Sequence, residues 1–284
     1  MRFVGCALAW RPGEAREGVS CLVVMDERGS IIANSFAGSA QEIAEAVEGY
    51  AGERRGVIVG VDAPLAVPNE RGTRKIERIL SKVGLPAYSA SRKMFGGEPR
   101  AEELLAALER VGVEYTDYPF PRKRGQWVVV EVDSAATLKI LSLEREGGKG
   151  GDPAQRLRRM EEPRFRKGNK EGRAGALRGA IEVLWDTPGL RLRTGNLSPD
   201  IGLPENVDVS KLDVSADLSH AELDRTLGLV EGTLAAYTVH RHWRDRDGSM
   251  VVGTGDQGSV LLPATEALRA RLADECRAAG VPYV

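Results

Sequence analysis

An α/β fold, in which three antiparallel strands lead into parallel strands and helices flank the mixed sheet, is predicted by three features of this sequence. Three short apolar segments open the chain with tight turns between them. Two later apolar runs, residues 56–61 and 127–132, are rich in Val and nearly uninterrupted, the pattern of strands covered on both faces. Segments with apolar residues three and four apart alternate with these runs and read as helices.

In order along the chain, residues 2–10 read as the first strand, 18–25 as the second and 30–36 as the third. Asp26-Glu27-Arg28-Gly29 is a hairpin turn, with Gly29 available for positive φ. Ser39, with Glu42 three residues on, has the capping-box pattern, and Ile43, Ala46, Val47 and Tyr50 follow at helical spacing. The run into Asp62 is the central strand. Residues 70–83 predict a helix with Ile76, Ile79, Leu80 and Val83 on one stripe and Gly84 as its stop. Its other faces carry Arg71, Arg74, Lys75, Arg78 and Lys82, the composition of a solvated surface. A polar loop at 88–97, a helix at 101–111 and a basic loop at 119–125 precede the second buried strand. Ser134 then caps a helix through 143. Residues 144–168, rich in Gly and charge, read as a mobile loop or small excursion. A helix at 170–185 and a turn-rich stretch at 188–219 follow. The chain therefore reads as a single domain with an inserted mobile segment near 144–218. Residues 220–243 form the strongest helix, with Leu223, Leu227, Val230, Leu234 and Tyr237 in register. Short strands at 250–252 and 259–262 and a helix at 265–279 close the fold.

Composition excludes several classes. The 284 residues carry a formal net charge of -1, so no global basic field attracts nucleic acid and any such contact is a local patch. No run reaches the length of a membrane helix. Cys6, Cys21 and Cys276 lack paired metal-ligand spacing, and an odd count without a secretory signal points to a cytoplasmic protein. His240 and His242 lie two apart on one helix and make a poor metal pair. The Gly253–Gly258 stretch sits between short strands and not before a helix, so it reads as a hairpin turn and not a phosphate loop.

The chemistry concentrates on acids. Asp62 and Glu131 stand at strand ends, the place where ligands bind in open α/β sheets, although Asp62 is equally suited to capping the next turn. Asp224 and Glu231, seven residues apart, point the same way from the long helix. Carboxylates from two strand ends and a packed helix could build an oxygen-rich site for Mg²⁺ or Mn²⁺. Two such ions roughly 4 Å apart stabilise an in-line phosphodiester displacement. Lys167, Lys170, Arg173, Arg74 and Arg92 are candidates to hold a nucleic-acid backbone beside it.

Five segments together resemble the family known as domain of unknown function 429, predicted nucleases with a ribonuclease-H-like fold. Gly5-Cys6-Ala7-Leu8-Ala9-Trp10 is similar to its opening Gly-x-Asp-x-x-Trp strand, and Val61-Asp62-Ala63-Pro64 to its second motif. Glu131-Val132 resembles its Glu-Val strand, Lys167 to Arg173 its Lys-rich Gly-x-x-Arg segment, and Leu223-Asp224 with Val260-Leu261-Leu262-Pro263 its closing motif. The resemblance implies a metal-dependent nuclease with Asp62, Glu131 and Asp224 as metal-facing acids and Lys170 and Arg173 as phosphate contacts. Two positions depart from the pattern. Ala7 stands where the family has its first-strand Asp, and Leu227 where a second closing Asp is common. Either Glu231 or Asp133 compensates, or this chain has lost catalysis and kept binding of nucleic acid or a scaffold role. An ATP-binding fold of the sugar-kinase and actin type would need a second domain with its own phosphate turns.

Overall fold

The computed structural model describes residues 1–10, 19–52, 56–96, 99–117, 119–147, 151–192 and 207–284. The chain begins with β1 (Arg2–Ala7), β2 (Ser20–Met25) and β3 (Ile31–Ala37), the antiparallel meander expected from the opening segments. β1 stops at Ala7, earlier than the apolar pattern suggests, because Leu8 to Trp10 leave the sheet while staying buried. At the hairpin, Asp26 Oδ1 accepts the Arg28 and Ser30 N–H groups, and Gly29 takes φ +78°. α1 (Ala40–Ala51) starts at Ser39, whose hydroxyl accepts the Glu42 N–H. The Glu42 carboxylate reaches one residue further back, to the Gly38 N–H.

β4 (Val57–Asp62) is followed by α2 (Lys75–Lys82), five residues shorter at its start than the sequence pattern suggests. Arg74 is the residue before that helix and is buried, so the solvated-face reading fails at this one position. α3 (Arg100–Arg110) leads to β5 (Glu114–Tyr115), β6 (Trp127–Val132) and α4 (Ser134–Arg145). Asp133, and not Ser134, caps α4, accepting the Ala136 N–H. Inside the stretch read as a mobile loop or small excursion lies α5 (Pro153–Arg159), capped by Asp152 with Pro153 at its first position. α6 (Lys170–Asp186), α7 (His220–Arg244), the antiparallel pair β7 (Ser249–Thr254) and β8 (Gly258–Pro263), and α8 (Glu266–Ala279) complete the chain. Much of the turn-rich stretch, residues 193–206, lies outside the described residues.

One mixed sheet runs in the order β3-β2-β1-β4-β6-β8-β7, with β5 beside β6. β1, β4 and β6 are parallel, and β8 joins β6 in parallel at Val132 and Leu261. Alternation divides the central strands between two cores. Phe3, Ala7, Ile58, Val130 and Val132 face the layer of α6 and α7. Val4, Cys6, Val57, Val59, Val61 and Val129 face α1 and α3. A third core lies under α2, α5, α8 and the β7–β8 pair. α7 lies on the sheet at backbone distance: a Cβ on Gly5 would fall 1.9 Å from the Gly232 carbonyl oxygen. A Cβ on Gly232 would fall 2.9 Å from Val23 in turn. Glycine at both positions lets the helix seat directly on β1 and β2. Among the described residues no helix is long and apolar enough to cross a membrane.

Candidate functional site

Where β4 and β6 end, a cleft of about 220 Å³ opens beside the N-terminus of α4 and the first half of α7. Asp62, Asp133, Glu162 and Glu231 contribute acids to it, Arg74 and Glu131 lie at its floor, and Trp10, Pro64 and Tyr88 form an apolar wall. The Tyr88 ring stands edge-on to Trp10 at 5.1 Å. Three of the four sequence-predicted metal ligands therefore share one cleft: Asp62, Glu131 and Glu231. Asp224 does not line it, because seven residues along a helix is about 10 Å of rise.

The register of β4 and β6 decides how the two strand-end acids project. Val61 pairs with Glu131 and Asp62 pairs with Val132. Register partners in parallel strands share a face, so Asp62 leaves the sheet toward α7 while Glu131 leaves on the opposite side, toward the loop after β4. Asp62 is half-buried, and its Oδ1 accepts the Ser134 N–H at 2.9 Å. With Asp133 on the Ala136 N–H, two carboxylates engage the N-terminal donors of α4, where the helix dipole favours negative charge. The Ser134 hydroxyl donates to the Glu231 carbonyl oxygen at 2.9 Å, tying α4 to α7 below the cleft. The Glu231 carboxylate accepts from Arg166 Nη2 on both oxygens, at 2.9 and 2.8 Å.

Glu131 is buried and fully engaged. Arg74 donates to both of its oxygens, at 3.0 and 2.6 Å, and the Leu65 N–H adds a third bond at 2.7 Å. The same guanidinium donates to Glu77 Oε1 at 2.7 Å and to the Ala66 carbonyl. Glu77 also accepts the Arg74 and Ala90 N–H groups. Burial pushes the Glu131 carboxyl above its usual value, against the pull of Arg74 and of the Leu65 N–H. Burial opposes the Arg74 charge too, but Glu131 and Glu77 together hold it firmly protonated. Arg74 is thus the centre of a buried Glu–Arg–Glu network that pins the loop between β4 and α2.

Asp224, Lys170 and Arg173 lie around the N-termini of α6 and α7, whereas Arg92 lies beside α3. Asp224 is exposed and accepts from Arg173, whose buried guanidinium also meets the Phe165 carbonyl and His220 Nδ1. Lys170 Nζ donates to the Leu218 carbonyl at 3.1 Å, and Arg92 pairs with Glu102. Lys167 is exposed. Ala7 and Leu227 both lie inside the hydrophobic core on the α7 side of the sheet. His240 and His242 are buried, edge-on to Phe3 and Phe120. Burial, with the Arg246 charge adding to it, pushes the His242 imidazole down to about 4.

Among the described residues no three His, Cys, Asp or Glu side chains are disposed to hold a metal ion. Both Glu131 oxygens and both Glu231 oxygens are on arginines, and Asp224 stands apart. As placed, the four acids do not form a two-ion centre. The partners that sequence reading missed are Arg166 for Glu231, and the second role of Arg74; only the Arg74-x-x-Glu77 spacing signalled either in advance. Comparison with protein-family models, with curated proteins and with solved structures returns no match.

Proposed function

We propose that this chain binds nucleic acid at the carboxyl edge of a ribonuclease-H-like sheet without hydrolysing it. The observation that carries the non-catalytic part is the sealing of Glu131 by the Leu65 N–H and by Arg74, itself anchored on Glu77. A carboxylate with both oxygens committed to a guanidinium offers little to a hard dication. Support for the frame comes from the strand order, a three-stranded antiparallel meander whose first strand continues into parallel neighbours. Support for the partner comes from the segment beside the cleft, where Arg158, Arg159, Arg164, Arg166, Lys167 and Lys170 fall within a short stretch that touches Glu231 through Arg166. Phosphates would lie along the 164–170 end of this rim, past Glu161 and Glu162, and Tyr88 offers an exposed ring for a base to stack on.

The test is anisotropy with labelled single- and double-stranded oligonucleotides, once in EDTA and once in Mn²⁺, with product gels from the same tubes. Binding equal in both buffers, weakened by salt and by Arg164→Ala with Lys167→Ala, and no cleavage, is the expected result. Mn²⁺-dependent cleavage abolished by Asp62→Asn would overturn it. That second outcome belongs to the nuclease reading, which one observation favours: Asp62, Asp133 and Glu231 line one cleft. In that reading Arg166 must leave Glu231 before any ion can enter.

A further inference from the structure

A second hollow, of about 370 Å³, lies at the other end of the sheet, below the start of β1 and β4. Six-residue strands separate it from the acidic cleft by about 20 Å. Arg2, Arg28 and Arg124 line it, with Asp26 and Glu27. Its walls include Gly56 and Gly125, so bare backbone forms part of the surface. Both positions require glycine: Gly125 has φ +82°, and a Cβ on Gly56 would fall 2.4 Å from the Gln126 carbonyl oxygen.

The two carboxylates of the hollow are already used. Asp26 Oδ1 takes the Arg28 and Ser30 N–H groups. Glu27 takes the Met1 α-amine at 2.8 Å and Arg124 at 2.9 Å. Among the described residues, then, three arginines line this space against two carboxylates, and both carboxylates are turned to internal donors, Arg124 among them. Guanidinium forks match phosphate oxygens bidentately, and a hollow of this volume falls in the range of small-ligand sites. We propose that this hollow is a binding site for a small phosphate-bearing molecule, independent of the acidic cleft. Arg28 and Arg124 grip the phosphate, and Glu27 sets the upper limit on affinity by its own negative charge.

The experiment is calorimetric titration of the full chain with inorganic pyrophosphate at low salt, paired with titration by a single-stranded oligonucleotide. Saturable one-site binding is expected, weakened roughly tenfold or more when Arg28→Ala and Arg124→Ala are combined, and tightened a few-fold by Glu27→Gln. Arg269→Ala, on the far α8, serves as the control and leaves it unchanged. Both tested arginines are exposed, so the urea midpoint of the double variant should match wild type. Failure to saturate below about 10 mM pyrophosphate, or a loss no larger than in the control, overturns the proposal. Equal loss of oligonucleotide affinity in the double variant also overturns it, since the hollow would then belong to a nucleic-acid surface. Oligonucleotide binding that survives the double variant leaves the reading of the carboxyl edge standing on its own test.

Discussion

Arg74→Met removes the cation of the buried network while keeping most of its volume. Two carboxylates, Glu131 and Glu77, then lose their counter-ion, and the Ala66 carbonyl loses a donor. Removing one partner of a buried pair costs about 3–5 kcal/mol, because the charge left behind is uncompensated. With two anions served by one guanidinium, the upper half of that range is expected, a large share of the 5–15 kcal/mol typical of a whole protein. Glu131→Gln should cost less, since Arg74 keeps Glu77 and the new amide still accepts from Leu65. The double variant should be more stable than Arg74→Met alone. The sign with pH follows from the direction of the shift. Glu131 in the folded state holds its proton more tightly than in the unfolded chain, and loss of Arg74 increases that difference. The defect of Arg74→Met is therefore small below the unfolded carboxyl value and grows as pH rises through the folded one. Urea unfolding followed by circular dichroism, at about pH 5 and about pH 7, measures all three variants. A cost under about 1 kcal/mol for Arg74→Met, or a double variant no better than the single, would refute the reasoning. Glu131 would then be loosely held and available to a metal, and the non-catalytic reading would lose its support.

Three further outcomes are expected. Gly5→Ala places a methyl group on the Gly232 carbonyl and should cost at least about 3 kcal/mol or prevent folding, read from the urea midpoint; a change under about 1 kcal/mol would show that α7 does not seat on β1 at backbone distance. His242 is held near 4 when folded and titrates at its ordinary value when unfolded, so its contribution is complete above about pH 6.5 and is lost as pH falls toward 4, amounting to about 3 kcal/mol. His242→Gln should flatten the stability profile between those limits, and an unchanged slope counts against burial as the cause. Ala7→Asp puts a new carboxylate on the sheet face of Asp62; it should destabilise the protein by about 1–3 kcal/mol in EDTA and recover about 1 kcal/mol or more in millimolar Mn²⁺, whereas the wild type should show no Mn²⁺ effect in the same thermal melts.

The order of strands and helices was legible because long apolar runs and helical stripes are local signals. Elements that depend on distant partners were not. β5 is two residues long and exists only because it pairs with β6. α5 is short, and its apolar residues, Ala154 and Leu157, are buried where it packs on α4 and on α8 far along the chain. The helix at α2 began five residues late because Arg74 is drawn down to Glu131, 57 residues away. At the site, the strand-end carboxylates were visible as residues, and two of them, with Glu231, do line one cleft. Their divergence was hidden, since it follows from the pairing of Val61 with Glu131, a register that no single strand reveals. Asp62 shows both readings at once: it borders the cleft and it engages the first N–H of α4.

Ala7 and Leu227, both in the core on the α7 side of the sheet, belong to one packed cluster. Ala7 pairs with Cys21 across β1 and β2, and a Cβ on Gly228 of α7, one residue after Leu227, would fall 3.0 Å from Cys21 Cβ. Ala7, Cys21, Leu223 and Leu227 belong to one buried cluster. An aspartate at position 7 or at position 227 alone would bury a charge in this cluster; each is costly without a cation to share. Apolar residues at both positions remove that cost together and let the core close up to the sheet edge. Asp224, one turn before Leu227, is then outside the core and turns to Arg173. Glu131 shows the same tendency from the other side of the sheet, its charge met by an internal arginine. A metal-binding edge keeps its carboxylates close, poorly compensated and wet until the ion arrives. Here the acids are distributed among arginines and helix N-termini that satisfy them within the chain, which is the physical basis for reading this edge as a binding surface.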